Sequence, residues 1–190
     1  MRRLALLLAA LTAACDRPAG DDGLDRHPVL GTCPEDPPEG GPFADCVDEF
    51  LPEGAGFGRD QLPDIVLGPP EAGADGQGGL DVVSLGCGGQ ITLRFAGAGV
   101  VDGPGADLLV FENAFAVGAG TFIEPARVLV SDDGTDWRAF PCDPGDADAR
   151  GCAGVAVVRA SSTNGLDPTD PEQAGGDAFD LADVGLARAR

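Results

Sequence analysis

Beyond Cys15 the chain never sustains a long apolar run: short apolar stretches alternate with clusters of Gly, Pro and Asp. The 30 Gly and 16 Pro leave little room for helices of several turns, because in a helix interior Gly costs about 1 kcal/mol and Pro about 3 kcal/mol relative to Ala. From Asp64 onward no stretch carries a convincing apolar stripe at i, i+3, i+4 and i+7. Extended segments between turns are what remains. The pattern predicts strands at 64–67, 80–85, Gln90–Phe95, 107–112, Ala126–Ser131, 137–140 and 155–159. In Gln90–Phe95 the apolar Ile91, Leu93 and Phe95 alternate with Gln90, Thr92 and Arg94, the period of a half-buried strand. Ala126, Val128 and Val130 share one side of their segment in the same way. Asp107-Leu108-Leu109-Val110-Phe111 is continuously apolar after its first residue, as in a central strand covered on both faces. Asp132-Asp133-Gly134-Thr135 reads as a hairpin turn between two of these strands. The expected fold class is all-β, an antiparallel β-sandwich.

The first residues follow a different rule. Met1-Arg2-Arg3 is basic, and Leu4 to Ala14 is apolar apart from Thr12. That run is too short for a bilayer core of about 30 Å and matches the apolar region of a secretory signal. It ends in Leu11-Thr12-Ala13-Ala14-Cys15, which resembles the lipobox of bacterial lipoproteins, although Thr12 stands where leucine is usual. The resemblance implies cleavage before Cys15, lipidation of Cys15, and attachment to a membrane through that lipid, since more than one acyl chain holds stably. Three segments are expected: a signal peptide at 1–14, a flexible acidic tether at 15–42, and a β-sandwich domain at 43–190. The tether expectation rests on composition rich in Asp, Pro and Gly without helical or strand period. His27, the single histidine, falls there as a solvated residue.

Export permits disulfides. Besides Cys15 there are Cys33, Cys46, Cys87, Cys142 and Cys152. Cys33–Cys46 and Cys142–Cys152 are the economical pairings, each closing a short loop worth about 2–3 kcal/mol in the chain-entropy model. Cys87 is then left over as a core thiol, and other pairings of the five stay open. Zinc is disfavoured, for there is no C-x-x-C pair.

Charge removes whole classes of partner. The chain has 32 acidic residues against 12 basic ones, for a net charge of −20. Nucleic-acid affinity comes from Lys and Arg on phosphates, so no nucleic acid is expected. Electrostatic attraction to anionic lipid is excluded on the same ground.

Ser131-Asp132-Asp133-Gly134-Thr135-Asp136-Trp137 resembles the S-x-D-G-x-x-W hairpin of discoidin-type, galactose-binding-like jelly rolls. A longer likeness runs through Leu62-Pro63-Asp64-Ile65-Val66-Leu67-Gly68-Pro69-Pro70, the stretch from Val83 to Leu93, the stretch from Asp102 to Asn113, and Ala174-Gly175-Gly176-Asp177-Ala178-Phe179-Asp180-Leu181. In this order they resemble a family of bacterial cell-surface lipoproteins of the myxobacterial type, over roughly 47–190. The resemblance implies a surface location and a β-sandwich of jelly-roll type, and no activity. In that family the stretch after Leu186 runs on into a final strand, whereas this sequence stops at Arg190, which reads either as a fragment or as a sandwich without that edge strand.

Two acidic segments are candidates for chemistry. One holds Asp102, Asp107, Glu112 and Asn113 around Gly103-Pro104-Gly105; the other holds Asp167, Asp170, Glu172, Asp177, Asp180 and Asp183. Calcium takes six to eight oxygens from carboxylates, amides and backbone carbonyls. A sandwich that sets the Glu112-Asn113 strand end against the Gly176-Asp177 loop assembles such a shell, so Asp102, Asp107, Glu112, Asn113, Asp177 and Asp180 are the expected calcium ligands. Nucleophilic catalysis is disfavoured: Ser84, Ser131, Ser161 and Ser162 have no histidine outside the tether, and no G-x-S-x-G elbow occurs. Glu112 and Glu124 are the carboxylate pair for a glycoside hydrolase, the enzymatic alternative. The preferred expectation is a non-catalytic binding module at the bacterial envelope, directed at a glycan. A structural protein docking another envelope protein is the third reading. Aromatic residues are scarce, nine Phe, one Trp and no Tyr, and Trp137 is expected in the core rather than as a sugar platform.

Overall fold

The computed structural model describes residues 4–10, 29–30, 33–34, 41–53, 56–69, 80, 82–86, 88–95, 100–111, 115–117, 120–122, 126–141, 152–153, 157–160 and 177–186, with the backbone alone for several short strands. Cys15, His27, Cys87, Glu112, Asn113, Glu124 and Cys142 lie outside the described residues. Twelve strands occur among the described residues: β1 Leu4–Ala10, β2 Val29–Leu30, β3 Cys46–Leu51, β4 Gln90–Phe95, β5 Leu108–Phe111, β6 Phe115–Val117, β7 Gly120–Phe122, β8 Ala126–Ser131, β9 Arg138–Ala139, β10 Cys152–Ala153, β11 Val157–Ala160 and β12 Asp177–Phe179. The helical elements among the described residues are three 3₁₀ turns, Arg59–Gln61, Asp64–Val66 and Leu181–Val184. None of them is long and apolar enough to cross a membrane.

Every described ladder is antiparallel. The largest sheet runs β10-β8-β1-β4-β3-β2, with β9 sharing the outer edge of β8. A three-stranded sheet runs β11-β5-β12, and β6 pairs with β7. The chain is therefore all-β in its described parts. Ile91, Leu93 and Phe95 of β4 and Ala126, Val128 and Val130 of β8 are buried, the alternation expected from the sequence. Ile91, Leu93, Phe95, Val128 and Val130 form one core with Val47 and Phe50 of β3, Leu108 and Val110 of β5, and Phe179 of β12. The other side of β5 is covered too: Leu109 and Phe111 pack with Phe43 and Val82. Phe140 meets Phe179 at a centroid distance of 4.9 Å, joining the end of the hairpin to β12.

Two strand expectations are corrected. Residues 64–67 form a 3₁₀ turn, Asp64–Val66, instead of a strand. Pro63 and the Gly68-Pro69 pair bound so short a stretch that it gains no ladder partner, and the turn buries Ile65 and Val66 against the core instead. In 80–85, Leu80 is exposed and 82–85 join no described ladder. Arg59 takes the place of a neighbouring strand: its guanidinium donates to the carbonyls of Ser84 (2.8 Å), Leu85 (3.0 Å) and Glu53 (3.2 Å), and lies 5.9 Å from the centre of the Phe50 ring. Glu53 N donates to Leu85 O and Ser84 N to Phe57 O, each at 3.0 Å. Gly86, at φ 81°, allows this closeness, since a Cβ there would sit 1.7 Å from Glu53 O.

β2 pairs with β3, and Cys33 is disulfide-bonded to Cys46. Cys152 stands in β10 opposite Arg127. The apolar segment Leu4–Ala10 forms β1, between β4 and β8.

Candidate functional site

Antiparallel pairing of β5 with β12 sets Leu108 opposite Phe179. The residue before β5, Asp107, therefore comes beside the residue after β12, Asp180. Asp102 approaches from across the Gly103-Pro104-Gly105 turn, where Gly105 has φ 84°. One carboxylate oxygen from each of Asp102, Asp107 and Asp180 lies within 4.8 Å of the others.

Asp107 is fully buried, and both its oxygens are placed by backbone. Oδ1 accepts from Gly103 N at 2.7 Å and Oδ2 from Leu181 N at 2.9 Å. Its own N–H donates to Phe179 O at 2.8 Å. Asp180 Oδ1 accepts from Ala182 N at 2.8 Å, capping the Leu181–Val184 turn as a short polar side chain does at a helix start. Burial pushes the Asp107 carboxyl above its ordinary pKa; the two N–H donors pull it back, and the charges of Asp180 and Asp102 push it up again. Such a set favours a cation. Two oxygens on one calcium ion at 2.3–2.6 Å lie at most about 5 Å apart, so the three carboxylates fit a common ion. These three Asp residues thus form a candidate metal site.

Of the six expected ligands, the structure brings together Asp102, Asp107 and Asp180. Asp177 stands opposite Val110, three ladder positions from Asp107, about 10 Å along the strand. The expected meeting of the Glu112-Asn113 strand end with the Gly176-Asp177 loop lies outside the described residues, and the trio forms at the other end of β5.

The same C-terminal turn borders a second feature. Ser131 ends β8, and its hydroxyl accepts from Gly134 N at 2.9 Å and donates to Asp133 Oδ1 at 3.0 Å. Asp133 Oδ1 also accepts from Thr135 N and Asp136 N, each at 2.8 Å. Donation from Asp136, Thr135 and Ser131, in that order, holds the Asp133 carboxyl below its ordinary pKa. Beside this hairpin lies an open cavity of about 320 Å³ lined by Asp132, Asp133, Asp136, Arg138 and Leu186. Arg138 donates to Val184 O at 3.0 Å and to Gly185 O at 3.4 Å. The Leu181–Val184 turn thus begins at the carboxylate trio and ends at the wall of the cavity. Trp137 is half-buried and is not among the residues lining the cavity. Sequence pattern flagged the hairpin but not the cavity, because Leu186 and the carbonyls held by Arg138 are some fifty residues away in the chain.

Comparison of the chain with protein-family models, curated proteins and solved structures finds no match to any of them.

Proposed function

We propose that the protein is a non-catalytic recognition module at the bacterial envelope, exported and anchored through lipid on Cys15. In this reading it is an antiparallel β-sandwich of jelly-roll type. Calcium at Asp102, Asp107 and Asp180 fixes one end, and a polar ligand of the glycan class docks in the cavity beside the hairpin. The observation that carries the reading is the Leu181–Val184 turn, whose first flank supplies Asp180 to the trio and whose last residues meet Arg138 and Leu186 at the cavity. A cation that stiffens this turn also stiffens the cavity wall. Carboxylates and a guanidinium suit sugar hydroxyls, which donate to the former and accept from the latter. The shared core of the two larger sheets supports the sandwich, and the resemblance of the sequence to surface lipoproteins supports the location.

Glycan-array binding with and without calcium tests the reading. Calcium-dependent hits that are lost in Asp136→Ala and Arg138→Ala are expected. Turnover of a model glycoside with no binding on the array would replace it with the hydrolase alternative. Labelling of expressing bacteria with a palmitate analogue tests the anchor, and Cys15→Ser is expected to abolish incorporation.

A further inference from the structure

Strand β1 has a ladder on each side. It pairs with β4 from Leu4↔Phe95 to Ala9↔Gln90 and with β8 from Ala5↔Ser131 to Ala10↔Ala126. The same residues lie within the stretch 1–14 that reads as an export signal. A leader removed before Cys15 and a strand held between β4 and β8 exclude one another in a single chain.

Removal of β1 cannot be absorbed by simple closure. β4 and β8 both run opposite to β1, hence parallel to each other, two strand spacings or about 10 Å apart. Closure requires them to move together by a strand width and form a parallel ladder, in a protein whose described ladders are all antiparallel. It also pulls Ile91, Leu93, Val128 and Val130, each fully buried in one core, out of place. Left open, the slot exposes the backbone N–H and C=O groups of two strands that β1 now satisfies, over an apolar core. The stretches 15–28, 70–79, 142–151 and 161–176 are rich in Asp, Gly and Pro, and none holds an uninterrupted apolar run of the length of β1.

We propose that the processed protein is a strand acceptor: an extended segment of a partner polypeptide fills the slot between β4 and β8, antiparallel to both. The register states the chemistry of that segment. Positions equivalent to Leu6 and Leu8 stand opposite Leu93 and Val130 and opposite Ile91 and Val128, all buried, and require large apolar residues. The position between them, Leu7 in β1, stands opposite Thr92 and Leu129, and the outer positions, Ala5 and Ala9 in β1, stand opposite Arg94 and Ser131 and opposite Gln90 and Arg127; these outer two accept small residues. Backbone pairing supplies affinity and the alternate positions supply selectivity, as in strand addition generally. The proposal rests on the export reading above.

The test uses the full chain with a protease site inserted after Ala14, cut after folding. A fluorescent peptide of the sequence of residues 4–10 is then offered in excess. The expected result is one-to-one exchange into the protein. Amide exchange in β4 and β8 should speed by an order of magnitude or more when the cut segment is washed away, and slow again when peptide is added. A peptide carrying Leu6→Asp and Leu8→Asp should not enter. Unfolding on loss of the segment supports the proposal if the peptide restores protection and overturns it if the peptide does not. Persistent protection of β4 and β8 with neither segment nor peptide bound also overturns it. Mass spectrometry of the protein from bacterial envelopes separates the two readings. A chain beginning at Cys15 with a protected, empty slot defeats the acceptor role alone, whereas a chain retaining Met1 defeats the export reading and the acceptor role together.

Discussion

Asp107 sits where opposing demands meet. It is buried, which penalises its charge, yet two backbone N–H groups point at its oxygens, which rewards that charge. Burial wins, and its pKa lies above the ordinary value. A carboxyl whose folded pKa exceeds its unfolded one binds protons more tightly when folded, so its contribution to stability is fullest below the ordinary carboxylate range and is lost as pH rises through the raised value. In chelator, the difference in melting temperature between wild type and Asp107→Asn is therefore expected to depend on pH across that window, because the variant lacks this slope; parallel melting profiles would show that Asp107 titrates normally. Gly86 is held by geometry rather than charge. Gly86→Ala puts a Cβ against Glu53 O and forces an L residue to positive φ, and should cost about 2 kcal/mol or more in urea unfolding. A loss well below that would mean that Glu53 and the 82–86 segment separate easily. Arg59 explains why this segment was unreadable as sequence: three carbonyls satisfied by one guanidinium leave no periodic trace.

At the scale of elements, legibility followed regularity. Gln90–Phe95 and Ala126–Ser131 alternate cleanly, and the structure gives them the same bounds. β5 reads as continuous apolar sequence because its two faces meet different clusters; Leu109→Ala, which empties the face toward Phe43 and Val82, should cost about 2–5 kcal/mol, measurable by chemical denaturation. β3 was missed for a physical reason. Its ladder with β4 shifts register between Val47 and Glu49, which places the bulge at Asp48 and breaks the period-two pattern. Asp48 makes a bidentate pair with Arg94. A run of Leu and Ala suits a leader and a central strand equally, so composition alone does not mark Leu4–Ala10 as β1. Of the expected disulfides, Cys33–Cys46 is formed. It clasps the segment bearing β2 to β3, and Cys33→Ser with Cys46→Ser should lower stability by about 3 kcal/mol, while leaving the β4 and β8 amides protected.

For the molecule as a whole, the site was legible in kind but not in membership. The neighbouring strands β5 and β12 set Asp107 beside Asp180, and a sequence carries no register from which that pairing could be read. In a chain with a net charge of −20, a divalent cation bound there relieves repulsion among the three carboxylates. An extracellular-type site with Kd of about 10⁻⁴–10⁻³ M adds about 0.4–1.4 kcal/mol at millimolar calcium, a rise of about 1–5 °C in melting temperature. Asp102→Asn, which leaves the hydrogen bonds to Gly103 and Leu181 in place, should abolish that rise. The most direct measurement is a crystal structure grown in millimolar calcium. One ion bound by oxygens of Asp102, Asp107 and Asp180 at about 2.3–2.6 Å is the predicted result; a trio holding only water, with the Leu181–Val184 turn unchanged, would contradict the account.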